Sequence, residues 1–152
     1  MAGPITLLAS AARVASGNLV VPTKGAAGSV YPDFGHIRAA IFELVYTAVG
    51  TVAGDTCAVY IQHAIDGGTI WDDFVAFTTV LGNGGLKNFV ADWQRDAPVA
   101  SSTALHQAAD ASLAAGVING PVGPDWRVKW TIAGTGSFTF SLGMRPLVDA
   151  RN

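Results

Sequence analysis

The sequence predicts an all-β protein: an antiparallel β-sandwich, jelly-roll-like, of about seven or eight strands, with one irregular or partly helical insertion. Two observations carry this prediction. Apolar residues recur at every second position in several separate runs, the period of a half-buried strand. Turn signals built from Gly, Asp and Asn separate those runs at short intervals, as hairpins require.

Taken in order, Thr6 to Val21 reads as two extended pieces broken at Ser16-Gly17-Asn18. From Ile37 to Val49, Phe42, Leu44 and Tyr46 fall on one face and Ile41, Glu43, Val45 and Thr47 on the other; the β-branched and aromatic content favours a strand. In Thr56–Ile65, Cys57, Val59, Ile61, His63 and Ile65 alternate with Ala58, Tyr60, Gln62 and Ala64. Asp66-Gly67-Gly68 reverses the chain into Thr69–Val80, which makes a hairpin. Gly82-Asn83-Gly84-Gly85 marks a further turn before Leu86–Trp93. Near the C-terminus, Trp126, Val128, Trp130 and Ile132 alternate with Arg127, Lys129 and Thr131. Gly134-Thr135-Gly136 then turns the chain into Phe138, Phe140 and Leu142, a second hairpin.

Ser101 to Gly116 fits a helix as well as it fits an irregular segment: Leu105, Ala108, Ala109, Ser112 and Leu113 have helical spacing, and Ser101 or Ser102 suits an N-cap. Ala97 to Asp125 is expected to project from the sheets as an insertion. The whole of 1–152 reads as one sandwich domain, with extended arms at about 1–21 and 144–152. Trp71, Trp126, Trp130, Phe138 and Phe140 are the expected core anchors.

The composition narrows the function. Only 13% of the 152 residues are charged, about half the roughly 25% of an ordinary globular protein. Nine basic against eleven acidic residues argue against a nucleic-acid partner, which calls for a basic excess. Every apolar run is broken well short of the roughly 20 residues of a membrane helix, so no membrane partner is expected. The apolar patch Ile5–Ala9 has no Lys or Arg before it, and no targeting segment is read there. A surface this poor in charge is expected to be hidden against other protein.

No catalytic constellation emerges, and no enzyme, cofactor or metal is expected. Cys57 is the sole cysteine and lies in an apolar run, where it reads as a buried small hydrophobe. His36, His63 and His106 share no ligand spacing; His63 reads as a packed or hydrogen-bonded side chain and His106 as exposed. Asp66, Asp72 and Asp73 flank a hairpin without the pattern of a calcium loop. Gly82–Gly85 does not match a phosphate loop. Tyr31, Trp93 and Trp71 are the aromatics that could be spared for a sugar-stacking surface. Arg127 and Lys129 share the strand face opposite Trp126 and Trp130, either solvated or directed at an acidic patch on a neighbouring subunit.

The blocks Thr6–Arg13 with Ser16-Gly17-Asn18, Ile41–Ala48, Val59–Trp71, Trp126–Thr135 and Ser137–Ser141 together resemble small β-sandwich structural proteins of tailed-bacteriophage virions. The resemblance implies a non-enzymatic building block located in the virion and assembled in the host cytoplasm. A capsid decoration (cement) protein is the first expectation, and a head–tail connector, neck or tail component the alternative. From a different class, a carbohydrate-binding sandwich is the other reading. The expected partner is a major capsid or neck/tail protein, with homo-oligomers of three-fold symmetry for decoration or a six- or twelve-fold ring for a neck. Arg127, Lys129, Ile5, Leu7, Arg13 and Leu147 are the expected interface residues, the arms pairing with a neighbour's sheet edge.

Overall fold

Strand β3 (Ile37–Ala48) shows how the sequence builds the sandwich. Phe42, Leu44 and Tyr46 point inward and are buried, while Ile41, Glu43 and Thr47 face out. The computed structural model describes residues 4–22, 33–97 and 108–148. Besides β3, it contains β1 (Ile5–Arg13), β2 (Gly17–Val20), β4 (Thr56–Ala64), β5 (Asp72–Ala76), β6 (Val80–Leu81), β7 (Asn88–Gln94), β8 (Gly116–Val117), β9 (Asp125–Ala133) and β10 (Phe138–Val148). A single 3-10 turn, Phe34–His36, leads into β3. Among the described residues there is no α-helix.

Two antiparallel sheets face each other. The first has the order β1-β10-β3-β7, the second β2-β9-β4-β5-β8, with β6 also paired to β4. Setting aside the two-residue strands β6 and β8, eight strands are left. Their pairing is nested: β1 with β10, β2 with β9, β3 with β7 and β4 with β5. The chain is therefore one long hairpin rolled over on itself, which is the jelly-roll connectivity. The expected all-β sandwich stands, and its rolled topology is explicit.

Between the sheets lies an aromatic core. Trp126 stacks on Phe34 with ring centroids 4.5 Å apart and meets Phe74 at 5.0 Å, Trp93 at 5.8 Å and Phe42 at 6.0 Å. Phe138 and Phe140 are buried as expected. Trp71 is a correction. It is only half-buried, on the outer side of the second sheet, with the Arg127 guanidinium 4.4 Å above its ring. Trp130 packs partly against the core and donates from Nε1 to the Ala15 carbonyl.

The terminal arms are also corrected. β1 lies in the first sheet against β10, and β2 in the second against β9. Met144–Val148 continues β10 along β3 as far as Ile37. These segments pair with strands of their own chain, so they are sheet strands and not free arms; residues 1–3 and 149–152 of the expected arms lie outside the described residues. The insertion changes as well. Residues 108–116 are not helical and do not project; they fold back over the second sheet, where β8 joins the edge of β5. Residues 98–107, including Ser101, Ser102 and Leu105 of the helical reading, lie outside the described residues.

At one end of the sandwich, Asp55 gathers three turns. Its carboxylate is buried, with Oδ1 accepting from the Thr135 backbone N–H, and its own carbonyl accepts from Gly82. A Cβ at Gly134 would collide with this carboxylate, and Gly134 adopts φ +94°. Clash and left-handed backbone act together there. Gly134→Ala is therefore expected to lower stability by about 3 kcal/mol, read as a drop in the urea midpoint; an unchanged midpoint would refute the Asp55 packing.

Candidate functional site

The densest polar cluster is on the outer face of the second sheet, where β4, β5 and β9 run side by side. Asp73 on β5 is 1% exposed, and burying a carboxylate requires that its oxygens be hydrogen-bonded. They are. Gln62 Nε2 donates at 2.6 Å, and the backbone N–H groups of Ala111, Ser112 and Leu113 donate at 3.1, 2.9 and 3.1 Å. Neighbouring Asp72 accepts from the Ala109 N–H, and the Asp73 N–H donates to the Ala109 carbonyl. Two adjacent carboxylates thus tie down the segment 109–113. The segment in turn covers Ala58, Tyr60 and Ala76 with Ala111 and Leu113. Ala111 sits at φ 56° to bring its N–H round to Asp73, a local strain that the carboxylate contacts offset.

Asp110 closes the cluster from the other side. Lys129 Nζ donates to it at 2.7 Å, Gln62 Nε2 at 2.8 Å and Arg127 Nη2 at 3.1 Å. Gln62 is the hub, since its Oε1 also accepts from Arg127 Nε at 2.6 Å. The hydrogen bond from Lys129 is the chief reason that the Asp110 carboxyl lies below its ordinary pKa; desolvation opposes it, and Gln62 and the two cationic charges reinforce it. Every acid here has a donor and each of the two cations an acceptor. The arrangement can hold a strap.

The residues expected at an interface are distributed differently. Arg127 and Lys129 do face a carboxylate, but it is Asp110 of the same chain. Arg13 turns inward: it donates to the carbonyls of Ala9, Ala11 and Phe140, and its guanidinium lies 4.3 Å over Phe140 and 5.0 Å over Trp130. Leu7 is in the core, and Ile5 is partly buried against it. Leu147 alone of the six is exposed. The structure does not bring these residues together on one surface.

Nor do the other chemical candidates converge. Cys57 is fully buried beside the Tyr46 hydroxyl, and burial pushes its thiol up to about 11. His63 is packed edge-on to Phe74 and accepts at Nδ1 from the Gly123 N–H. Asp66 receives the N–H groups of Thr69 and Ile70, the role of a loop residue. Of the aromatics considered for sugar stacking, Trp93 is fully buried and Trp71 lies under Arg127; Tyr31, like His106, lies outside the described residues. Among the described residues, no three His, Cys, Asp or Glu side chains gather as a metal set would.

Gln62, Asp73, Asp110 and Asp55 were not singled out as a group from the sequence. The usable signal was Asp72-Asp73 inside a strand pattern, because Asp is disfavoured in strands unless its side chain has a specific partner. No family model, no curated protein and no solved structure matches this chain.

Two outcomes test the clasp. Asp73→Ala leaves three backbone N–H groups of the strap unpaired and is expected to cost about 3 kcal/mol, with faster amide exchange over 109–113; native-like protection there would contradict it. The Asp110 carboxyl has a folded pKa below its unfolded value. Its stabilising contribution is thus complete above the ordinary carboxyl range and is lost as pH falls through the lower folded value. Acid titration of stability is expected to be shallower in Asp110→Asn than in the parent protein, and identical curves would refute the assignment.

Proposed function

We propose that the chain is a non-enzymatic structural protein of a tailed-phage virion, in the first place a capsid decoration protein bound to the outer shell. A connector, neck or tail position on the same particle is the alternative placement. The observation that carries this reading is the outer face of the first sheet. From β10 it presents Thr139, Ser141, Gly143, Arg145 and Leu147, from β3 Ile41, Glu43, Val45 and Thr47, and from β7 Asn88, Val90, Asp92 and Gln94. Ile41, Val90 and Leu147 stand exposed in this field among small polar side chains, with Glu43, Asp92 and Arg145 its charged members. A depression of about 230 Å³ lined by Pro4, Ile41, Glu43, Gly143, Met144 and Arg145 indents it.

An open sheet face with Ile41, Val90 and Leu147 exposed among polar side chains suits a protein partner, since exposed apolar surface rimmed by polar residues marks interaction sites. The double-sheet jelly roll is a frequent architecture of viral shells, though lectins and cupins use it too, so the fold supports the reading by analogy only. The polar clusters support it from another side, because they are engaged in holding the fold.

Purified particles test the proposal by mass spectrometry and imaging. Hundreds of copies on the head are expected for decoration, and six or twelve at the neck for the alternative; absence from the particle refutes both. Ile41→Thr, which keeps a β-branched side chain at an outward position on β3, is expected to change stability by less than about 0.5 kcal/mol while reducing occupancy on the particle. Full occupancy would remove this face from the contact.

A further inference from the structure

The two edges of the first sheet are treated differently by the fold. β1, at one edge, carries two register shifts, and the Arg13 guanidinium caps the carbonyls of Ala9 and Ala11. Bulges and inward-turned charges of this kind discourage a further strand. β7, at the other edge, has an unbroken register with β3 from Asn88 to Gln94 and contains no Pro, Lys or bulge.

The direction of its backbone groups follows from the hydrogen bonds at its two ends. The Tyr46 N–H donates to the Lys87 carbonyl and the Arg95 N–H to the Arg38 carbonyl. Odd-numbered residues of β7 therefore bond to β3, and Asn88, Val90, Asp92 and Gln94 direct their N–H and C=O groups away from it. Gln94 shows that this edge accepts a strand-like neighbour. Its N–H donates to Asn119 Oδ1, and its carbonyl accepts from the Gly120 N–H. Among the described residues, Asn88, Val90 and Asp92 have no such neighbour. Beside them runs a groove of about 330 Å³, walled by Phe77, Phe89 and Val117.

We infer that this edge pairs with the β7 edge of a second copy of the chain, antiparallel about a two-fold axis at Val90. The sequence of the strand is self-complementary in that register. Val90, 69% exposed, meets its own counterpart as an apolar cross-strand pair. Asn88 meets Asp92 of the second copy, an amide donor opposite a carboxylate, and the reverse pair repeats it. On the inner face Phe89 meets Ala91, a large side chain opposite a small one. No like charges oppose each other, and cross-strand pairs of these kinds favour the register. The two first sheets would join into one continuous sheet across an isologous contact. This inference is independent of the virion reading, and a two-fold unit differs from the three-fold arrangement expected of a cement protein.

Cysteine cross-linking of the full chain tests the register. Residues in a directly opposed, hydrogen-bonded antiparallel pair have Cα atoms about 5.5 Å apart, within the range a disulfide spans. Val90→Cys is expected to form a disulfide-linked dimer on oxidation. Asn88→Cys alone is not, since its two copies would lie about 14 Å apart along the strand at about 3.4 Å per residue. A mixture of Asn88→Cys with Asp92→Cys is expected to cross-link between unlike chains. Cys57, the only native cysteine, is buried. Val90→Pro removes one outward N–H and leaves the β3 ladder intact, so it is expected to weaken self-association at least tenfold by sedimentation while the unfolding midpoint is retained. A parent chain that sediments as a monomer at every concentration overturns the inference. So does a cross-link from Asn88→Cys alone that Val90→Cys does not give.

Discussion

The contact between the two sheets at Trp126 is the constraint on which the rest of the structure depends. Its indole touches the 3-10 turn through Phe34, the first sheet through Phe42 and Trp93, and its own sheet through Phe74. The Nε1–H is satisfied by the Gly123 carbonyl three residues upstream, so this large side chain is buried without an unpaired donor. Because β9 is an interior strand of its sheet, between β2 and β4, fixing Trp126 fixes the facing of both layers. The rolled hairpin then has one inside, and the alternation of every long strand is set relative to it.

A second layer of burial follows from the first. The outer face of β4 carries Ala58, Tyr60, Gln62 and Ala64, all buried. A face this short of charge cannot be left open without exposing apolar surface, and the strap at 109–113 covers it. The carboxylates of Asp72 and Asp73 hold the strap through its backbone, and Asp110 is held in turn by Arg127 and Lys129. Asp72, Asp73, Asp110, Arg127 and Lys129, five of the twenty charged residues of the sequence, thus sit where they organise the chain.

The strands were legible in the sequence because each depends on local period and turn chemistry. Phe42, Leu44 and Tyr46 announced their inward face, and the turn at Gly134–Gly136 announced the last hairpin. What the sequence hid was long-range. Helical spacing at Ala108, Ala109, Ser112 and Leu113 carried no sign of an Asp73 carboxylate that draws three consecutive N–H groups out of helical hydrogen bonding. Trp93 reads from the sequence as an aromatic that could be spared for a surface, yet strand parity puts it inside with Ala91. The termini looked like arms because strand pairing across the whole length of the chain leaves no local mark. Arg127 and Lys129 were correctly placed on one strand face, but their partner lies on a distant segment.

The conspicuous polar side chains maintain the fold, and the proposed association uses the sheet edge and the open face. Paired measurements on Arg127→Leu test this most directly, because Arg127 belongs to the clasp and lies away from β7. Urea unfolding and sedimentation of the same sample give stability and self-association together. The account predicts a loss of about 2 kcal/mol in stability with the self-association constant unchanged. Unaltered stability with lost association would contradict it.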